Sequence, residues 1–264
     1  MASFRTTLGI QEVTDKKSNL ARALLAEFLG TLFLNFFGCG AVMNGGDQTL
    51  TISVSFGLAV AAAVQFMGHV SGGHVNPAVT CGMLAIGKIP VIRAILYVVA
   101  QSAGAIAGSA ILRAVTASGK QALLGAVKLN NDTEPVQGFV VELIMALILV
   151  LVVCGATDPG KPESKPLAPL IIGLTVTMCH IIGIPRTSTG MNPARALGAA
   201  VIEGVFDDHW LYWVGPILGG VAGALIYTHA IGPAKETESS RSYATVATEE
   251  KERFEYIDSG RGGL

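Results

Sequence analysis

The tripeptide Asn-Pro-Ala occurs twice in this chain, at Asn76-Pro77-Ala78 and at Asn192-Pro193-Ala194. Asparagine is a favoured helix N-cap and proline a favoured first helical residue, so each triplet predicts the start of a helix. As a cap, the asparagine oxygen accepts from a backbone N–H, and we expect the amide NH₂ to stay free as a donor. Each helix start also carries about half a positive charge. This chemistry favours a neutral molecule with lone pairs over a cation.

The composition indicates that the elements around these triplets lie in a membrane. Hydrophobic residues make up 51% of the 264 residues, and the mean hydropathy is +0.55. Charged residues are 14% of the chain, against roughly 25% in soluble domains. A net charge of −1 with no basic cluster makes nucleic acid a poor partner. No pattern of nucleophiles or metal ligands stands out, so we expect no enzyme, no metal and no cofactor.

Six apolar segments approach the roughly 20 residues that a membrane-spanning helix needs. They are residues 21–43, 50–68, 93–115, 136–156, 166–184 and 209–231. Two further apolar stretches, 76–86 and 192–202, have only about half the length that the bilayer requires. Each begins with an Asn-Pro-Ala triplet, so we expect half-helices that stop near the middle of the membrane.

The chain contains an internal repeat. The two triplets are 116 residues apart, and Glu27 in Ala-Glu-Phe-Leu matches Glu142 in Val-Glu-Leu-Ile at an offset of 115. Each repeat, about 21–116 and about 136–231, holds three spans and one half-helix. Because three is odd, the second repeat must be inverted in the membrane, and the half-helices then meet tip to tip. We expect each buried glutamate to support its repeat by accepting hydrogen bonds from the re-entrant loop.

The predicted fold class is an all-α membrane protein with six transmembrane helices and two re-entrant half-helices. The channel domain covers residues 21–231, between an N-terminal segment (1–20) and a polar tail (232–264). Six spans put both termini on one side. Of the 18 lysines and arginines, the other side has only Arg113, Lys120, Lys128, Arg186 and Arg195. The positive-inside rule therefore predicts cytoplasmic termini. We expect a multi-pass protein of the cell membrane, with the N-glycosylation sequon at Asn131 outside.

Two runs around the triplets resemble the aquaporin (major intrinsic protein) family. They are Ser-Gly-Gly-His-Val-Asn-Pro-Ala-Val at 71–79 and Gly-Met-Asn-Pro-Ala-Arg at 190–195. Ala-Glu-Phe-Leu-Gly-Thr at 26–31 is similar as well, and the resemblance covers about residues 20–230. It implies an hourglass fold, a pore in each protomer and a homotetramer in the lipid bilayer. Within the family the chain is similar to the water-selective branch and resembles an insect-type water channel.

The resemblance also implies a narrow selectivity filter beside the second half-helix. Carried over by position from the motifs, its residues are Phe56, His180, Thr189 and Arg195. The two rings narrow the opening, and the arginine supplies fixed charge and donors. Thr189 stands where mercury-sensitive relatives have cysteine, so we expect weak inhibition by mercurials. His74 either lines the cytoplasmic vestibule of the pore or packs as an ordinary buried residue.

These features predict a passive, water-selective channel that is driven by osmotic gradients and excludes protons and ions. The alternative is a facilitator for glycerol or another small neutral solute. Relatives of that kind lack the filter histidine and carry aspartate directly after the motif arginine, where this chain has Ala196. A coupled transporter would need carboxylates at the midplane, where we expect amides. An adhesive membrane protein of low permeability is a third alternative, which a swelling assay separates from a channel.

Overall fold

The computed structural model of the protein describes residues 7–15, 18–43, 48–117 and 123–233. The predicted tail lies outside this part of the chain from residue 234 onward, and so does Lys120, which entered the charge count. Contacts between residues divide the chain into a unit from Met1 to Ile231 and a second unit from Gly232 to Leu264. All helices described below belong to the first unit.

Nine α-helices form the described part of the chain. In order they are α1 (Ile10–Thr14), α2 (Leu20–Val42), α3 (Thr49–Ser71), α4 (Pro77–Ala85), α5 (Val91–Val115), α6 (Pro135–Ala156), α7 (Ala168–Thr187), α8 (Pro193–Glu203) and α9 (Leu211–Ile226). Short 3₁₀ turns at Leu123–Gly125 and Pro162–Leu167 precede α6 and α7, and a π-helical turn, Tyr227–Ile231, extends α9.

Six helical segments are long and apolar enough to cross a membrane: α2, α3, α5 and α6, α7 together with the turn before it (Pro162–Thr187), and α9 together with its π-helical turn (Leu211–Ile231). Large apolar side chains stand exposed on their outer faces, among them Leu25, Leu58, Val99, Leu174 and Val214. Such faces suit lipid tails rather than water. The predicted six spans are confirmed, and the two short helices α4 and α8 are the predicted half-helices.

Both half-helices begin where their sequence predicts. The backbone of Asn76 is extended, and its Oδ1 accepts from the N–H of Ala78 at 2.8 Å. Asn192 has the same conformation and caps two groups, the N–H of Ala194 at 3.1 Å and that of Arg195 at 3.2 Å. These bonds satisfy N–H groups that a helix start otherwise leaves without an acceptor.

Glycines bring the spans of each repeat into close contact. A Cβ atom on Gly104 of α5 would lie 2.1 Å from the carbonyl oxygen of Phe28 on α2, and one on Gly108 would lie 2.3 Å from that of Leu32. The second repeat has equivalent contacts, of Gly219 with Leu143 and of Gly223 with Leu147. Small residues spaced four apart allow such close helix approach in a membrane. The close contacts between spans therefore recur in both repeats, as the sequence motifs do.

A further glycine pair joins the two repeats. A Cβ on Gly57 of α3 would lie 2.5 Å from the carbonyl oxygen of Gly173 on α7, and a Cβ on Gly173 would lie 2.4 Å from that of Gly57. The two residues are 116 positions apart, the same offset as the triplets. This contact fixes the distance between α3 and α7, which carry Phe56 and His180.

Candidate functional site: a cavity between two half-helix tips

The two half-helix tips touch each other through their asparagines. The Nδ2 of Asn76 donates to the carbonyl oxygen of Met191 at 3.1 Å, and the Nδ2 of Asn192 donates to that of Val75 at 2.7 Å. The expectation that both amide hydrogens stay free is therefore wrong for one hydrogen of each amide. An amide carries two hydrogens, so each asparagine keeps one for the cavity.

The residues before the two asparagines have an uncommon backbone conformation. Val75 has φ 45° and Met191 has φ 56°, the left-handed region that a β-branched residue such as valine rarely enters. This conformation lets each carbonyl accept from the opposite asparagine while each N–H points back into its own repeat. Such strain persists where several contacts fix it, and it is concentrated at functional sites.

Glu27 anchors the first re-entrant loop. One carboxylate oxygen accepts from the hydroxyl of Ser71 at 2.6 Å and from the N–H of His74 at 3.0 Å. The other accepts from the N–H of Val75 at 2.7 Å and from the Nε2 of Gln101 at 2.7 Å. Glu27 is fully buried, so these donors replace the water that a buried carboxylate loses.

Glu142 anchors the second loop in the same way. It accepts from the hydroxyl of Thr187 at 2.6 Å, from the N–H of Gly190 at 2.8 Å and from the N–H of Met191. Its side chain is also fully buried. Both glutamates have the hydrogen bonds expected of loop supports.

Two tyrosines complete these supports, and the sequence analysis did not identify them. The hydroxyl of Tyr97 donates to the carbonyl oxygen of Ser71, and that of Tyr212 donates to the carbonyl oxygen of Thr187, each at 2.8 Å. The tyrosines are 115 positions apart. A residue-by-residue comparison of the two repeats could therefore have found them.

Three of the four predicted filter residues surround one opening. The rings of Phe56 and His180 stack with their centroids 4.5 Å apart, and the guanidinium carbon of Arg195 lies 4.8 Å from the Phe56 ring centroid. The Nη1 of Arg195 donates to the carbonyl oxygen of Gly125 at 2.7 Å, a contact that no local pattern signals. These contacts hold the arginine across the opening.

The filter contains two polar atoms that have no hydrogen-bond partner among the described residues. The Nδ1 of His180 lies 2.9 Å from the carbonyl oxygen of Val176. A carbonyl only accepts, so Nδ1 carries the hydrogen, and in the neutral ring Nε2 is then an acceptor. Among the described residues, neither this Nε2 nor the Nε of Arg195 has a hydrogen-bond partner. Both atoms are buried, so the filter holds one acceptor and one donor that the described part of the chain leaves unpaired.

Thr189 packs against α7. Its side chain is fully buried, and a Cβ on Gly183 of α7 would lie 2.4 Å from its hydroxyl oxygen. The cavity is lined by the next two residues, Gly190 and Met191, and Thr189 is not among the lining residues. Its place in the filter stays a prediction.

A continuous cavity of about 590 Å³ joins the filter to the half-helix tips and to the opposite mouth. The filter and tip residues on its wall are Phe56, His180, Arg195, Asn76 and Asn192. The charged residues on its wall at the opposite mouth are Glu12, Lys88, Arg93 and Lys165. Among the described residues, one cavity therefore brings the two half-helix tips and three predicted filter residues together.

His74 lines this cavity next to the first tip. Its Nδ1 lies 3.1 Å from the hydroxyl oxygen of Thr80, and its ring packs edge-on against Tyr97 at 5.4 Å between centroids.

Asn131, the residue of the glycosylation sequon, is exposed in a turn before α6.

The short helix α1 at the opposite mouth was not predicted. Glu12 forms an ion pair with Arg93 of α5 at 2.5 Å, and the Nη2 of Arg93 donates to the Oδ1 of Asn19 at 2.8 Å. The ion pair joins residues 81 positions apart, a contact that local sequence patterns do not signal.

The loop between α6 and α7 borders the same mouth through Thr157 and Pro159. Asp158 accepts from the hydroxyl of Tyr227 at 2.7 Å and from the N–H of Gly160 at 2.7 Å. These two donors stabilise the carboxylate and hold the pKa of Asp158 below its usual value. The loop is thus fixed to the end of α9 at neutral pH.

Comparison with known proteins agrees with this geometry. The family model described as Major intrinsic protein matches residues 14–227. The chain is 41% identical to Aquaporin-2 of Homo sapiens over 84% of this chain and 83% of that protein. It is 39% identical to Aquaporin-1 of Homo sapiens, over 86% and 88% of the two chains. It is 40% identical to Aquaporin-5 of Sus scrofa, over 88% and 89%.

One solved structure is also similar, the X-ray structure of the aquaglyceroporin from Plasmodium falciparum. It superposes with a TM-score of 0.74 at 26% identity and covers 81% of this chain and 98% of that chain. The predicted fold class is confirmed by this likeness and by the helices described above. The resemblance to insect channels stays a prediction. The chain belongs to the major intrinsic protein family, in which its relatives are aquaporins.

Proposed function

We propose that the protein is a passive, water-selective channel that is driven by osmotic gradients and excludes protons and ions. The observation that carries the proposal is the pair of asparagines on the cavity wall, each bonded across to the other tip and each with one amide hydrogen to spare. The names of the three curated relatives support it.

Proton exclusion follows from the donors at the tips. A water molecule that accepts from both Asn76 and Asn192 points its oxygen at the two amides, so it cannot pass a proton along the file of waters. The positive ends of α4 and α8 meet at the same place, and Arg195 adds a full charge. A cation on this path meets positive charge twice in a medium of low dielectric constant.

Water fits the filter better than glycerol does. The rings of Phe56 and His180 stack on the cavity wall, and the guanidinium carbon of Arg195 lies 4.8 Å from the Phe56 ring centroid, so the opening is narrow and carries a charge. A three-carbon solute needs more width and an apolar wall. Glycerol is the second candidate substrate, because the similar solved structure is an aquaglyceroporin. His180 and Ala196 favour water over glycerol.

A swelling assay tests the proposal. Vesicles that contain the protein should shrink faster than protein-free vesicles after a hyperosmotic step, with no saturation and no dependence on an ion gradient. A pH-sensitive dye inside should report no added proton flux. Equal shrinkage rates in the two vesicle types would contradict the channel and favour an adhesive role.

Replacement of the filter histidine tests the substrate. We expect His180→Ala to admit glycerol and urea at rates above those of protein-free vesicles, because the opening loses one of its two rings. His209→Ala is a matched control, since His209 is outside the cavity wall. If the wild-type protein already passes glycerol as fast as it passes water, the result would contradict water selectivity and favour glycerol as the substrate.

The same proposal includes the assembly and the membrane. We propose a homotetramer in the plasma membrane with both termini in the cytoplasm, His74 in the cytoplasmic vestibule and Asn131 outside. The family supports the assembly and the charge distribution supports the orientation. Size-exclusion chromatography with light scattering tests the tetramer, and a monomer in mild detergent would contradict it.

A further inference from the structure

Asn35 on α2 lies behind the filter and contacts Arg195. Its amide nitrogen lies 3.3 Å from the backbone carbonyl oxygen of Arg195 and 3.1 Å from the hydroxyl oxygen of Ser109 on α5. Since a carbonyl only accepts, the atom that faces Arg195 is the NH₂ group. Asn35 is fully buried, and its Oδ1 has no hydrogen-bond partner among the described residues.

This asparagine has an apolar counterpart in the other repeat. Gly198 of α8 faces Asn35, because a Cβ there would lie 2.4 Å from the amide nitrogen. Gly82 of α4 stands 116 positions earlier, and a Cβ there would lie 3.0 Å from Val150. Val150 is therefore the counterpart of Asn35, and a valine suffices where a half-helix rests on a span.

The comparison of Asn35 with Val150 shows that stability alone does not explain the asparagine. A buried carbonyl oxygen without a partner lowers stability, and Val150 has no such cost. Packing alone therefore does not account for an asparagine at position 35. What differs between the two half-helices is that only α8 carries a filter arginine in its first turn.

The same face of α2 touches two further parts of the filter. A Cβ on Gly38 would lie 2.4 Å from the ring of Phe56. A Cβ on Gly125 would lie 3.1 Å from Cys39, and the carbonyl of Gly125 accepts from Arg195. One turn of α2 therefore contacts three parts of the filter. These are the Phe56 ring, the backbone of Arg195 and the loop whose carbonyl accepts from the Arg195 side chain.

We propose that Asn35 is a positioning residue that sets the solute cut-off of the channel by holding the first turn of α8, and with it Arg195, against α2. Its amide fixes how far the guanidinium lies from the stacked rings of Phe56 and His180. Without this bond Arg195 moves away from the rings more often, and the opening admits wider neutral solutes. This inference rests on the proposed filter role of Arg195.

The test measures urea, glycerol and water permeability of Asn35→Val in vesicles, together with thermal unfolding. We expect the urea-to-water ratio to rise about two- to ten-fold, the effect of one lost neutral hydrogen bond. The unfolding temperature should stay equal or rise, because the unpartnered oxygen is gone. Asn35→Leu keeps the side-chain length without the donor, and it should raise the ratio as well if the valine variant folds poorly.

Three matched variants make the outcome decisive. Val150→Ala removes volume at the counterpart position and should leave the ratio unchanged. Ser109→Ala removes the other acceptor of the Asn35 amide and should also leave it unchanged. A wild-type ratio in both Asn35 variants, or an equal rise in Ser109→Ala, would overturn the inference. Arg195→Val separates the two proposals, because an unchanged ratio there would overturn the filter itself.

Discussion

Two buried carboxylates anchor, through hydrogen bonds, the loops that end at the half-helix tips. Glu27 and Glu142 each have 0% of their surface exposed, and each accepts at least three hydrogen bonds. Such a group stabilises the protein only while its donors stay paired. These side chains should therefore tolerate replacement poorly, although neither lines the cavity.

We expect Glu142→Ala to destabilise the protein strongly. It leaves the buried N–H groups of Gly190 and Met191 without an acceptor, at roughly 1–3 kcal/mol each. The hydroxyl of Thr187 keeps only its longer bond to the carbonyl oxygen of Gly183, at 3.4 Å. Thermal unfolding in detergent measures the loss. Glu134→Gln is the control, because Glu134 is exposed and its bonds are confined to the start of α6. A similar unfolding temperature for the two variants would show that the second loop does not depend on Glu142.

We expect weak inhibition by mercuric chloride. All four cysteines lie in the described part of the chain, and none is among the residues that line the cavity. Water permeability with and without the salt is the measurement. Strong block, reversed by a thiol, would place a cysteine in the path; Cys81, the only one of the four that is not fully buried, would be replaced by serine first.

At the scale of elements, glycine contacts set the distance between helices that carry the filter. α3 and α7 meet at Gly57 and Gly173, where each backbone touches the other. Phe56 is the neighbour of one glycine, and His180 lies two turns beyond the other. The stacking of these two rings depends on that contact.

We expect Gly173→Val to abolish water permeability and to lower stability. Its Cβ would lie 2.4 Å from a backbone oxygen that no rotamer change can move, so α3 and α7 must separate. Gly40→Ala on α2 is the control, since its Cβ meets only Leu112 at 3.5 Å. Alanine there should be neutral or slightly stabilising, by up to about 1 kcal/mol. Unchanged swelling in Gly173→Val would contradict the argument.

Local patterns predicted the elements well and their mutual contacts poorly. Asn-Pro-Ala is a capping signal within three residues, so α4 and α8 could be read directly from it. The bond from Asn76 to Met191 joins two turns 115 residues apart, and no local pattern shows which carbonyl an amide will meet. The same holds for Glu12 with Arg93 and for Arg195 with Gly125. The left-handed backbone of Thr189, φ 56°, is likewise not signalled by the sequence.

At the scale of the whole molecule, the described chain is two similar halves that differ where the filter lies. The tyrosines, glutamates, capping asparagines and glycine pairs repeat at offsets of 115 or 116. Asn35 and Val150 do not match, and the second half alone carries Arg195. The fold therefore follows from the repeat, whereas in our proposal selectivity comes from the positions at which the two halves differ.

We expect the loop that holds Asn131 to face the outside of the cell. In a eukaryotic host, a glycosidase that removes N-linked sugars should lower the apparent mass of the wild type and leave Asn131→Gln unchanged. A tag at either terminus should be labelled only after the membrane is permeabilised. Labelling of the tag on intact cells would show that the termini face the outside and would contradict the proposed orientation.

The reciprocal bonds between the tips also constrain biosynthesis. Glu27 finds all its donors within the first repeat, so the first loop can be anchored early. Asn76 must wait for Met191, which follows 115 residues later, on the order of ten seconds at ribosomal rates of about 5–20 residues per second. Until then the side-chain amide of Asn76 lacks its acceptor, and the carbonyl oxygen of Val75 lacks its donor, Asn192. A nascent chain that ends before residue 191 therefore lacks both bonds between the tips and the part of the cavity wall that the second half-helix supplies.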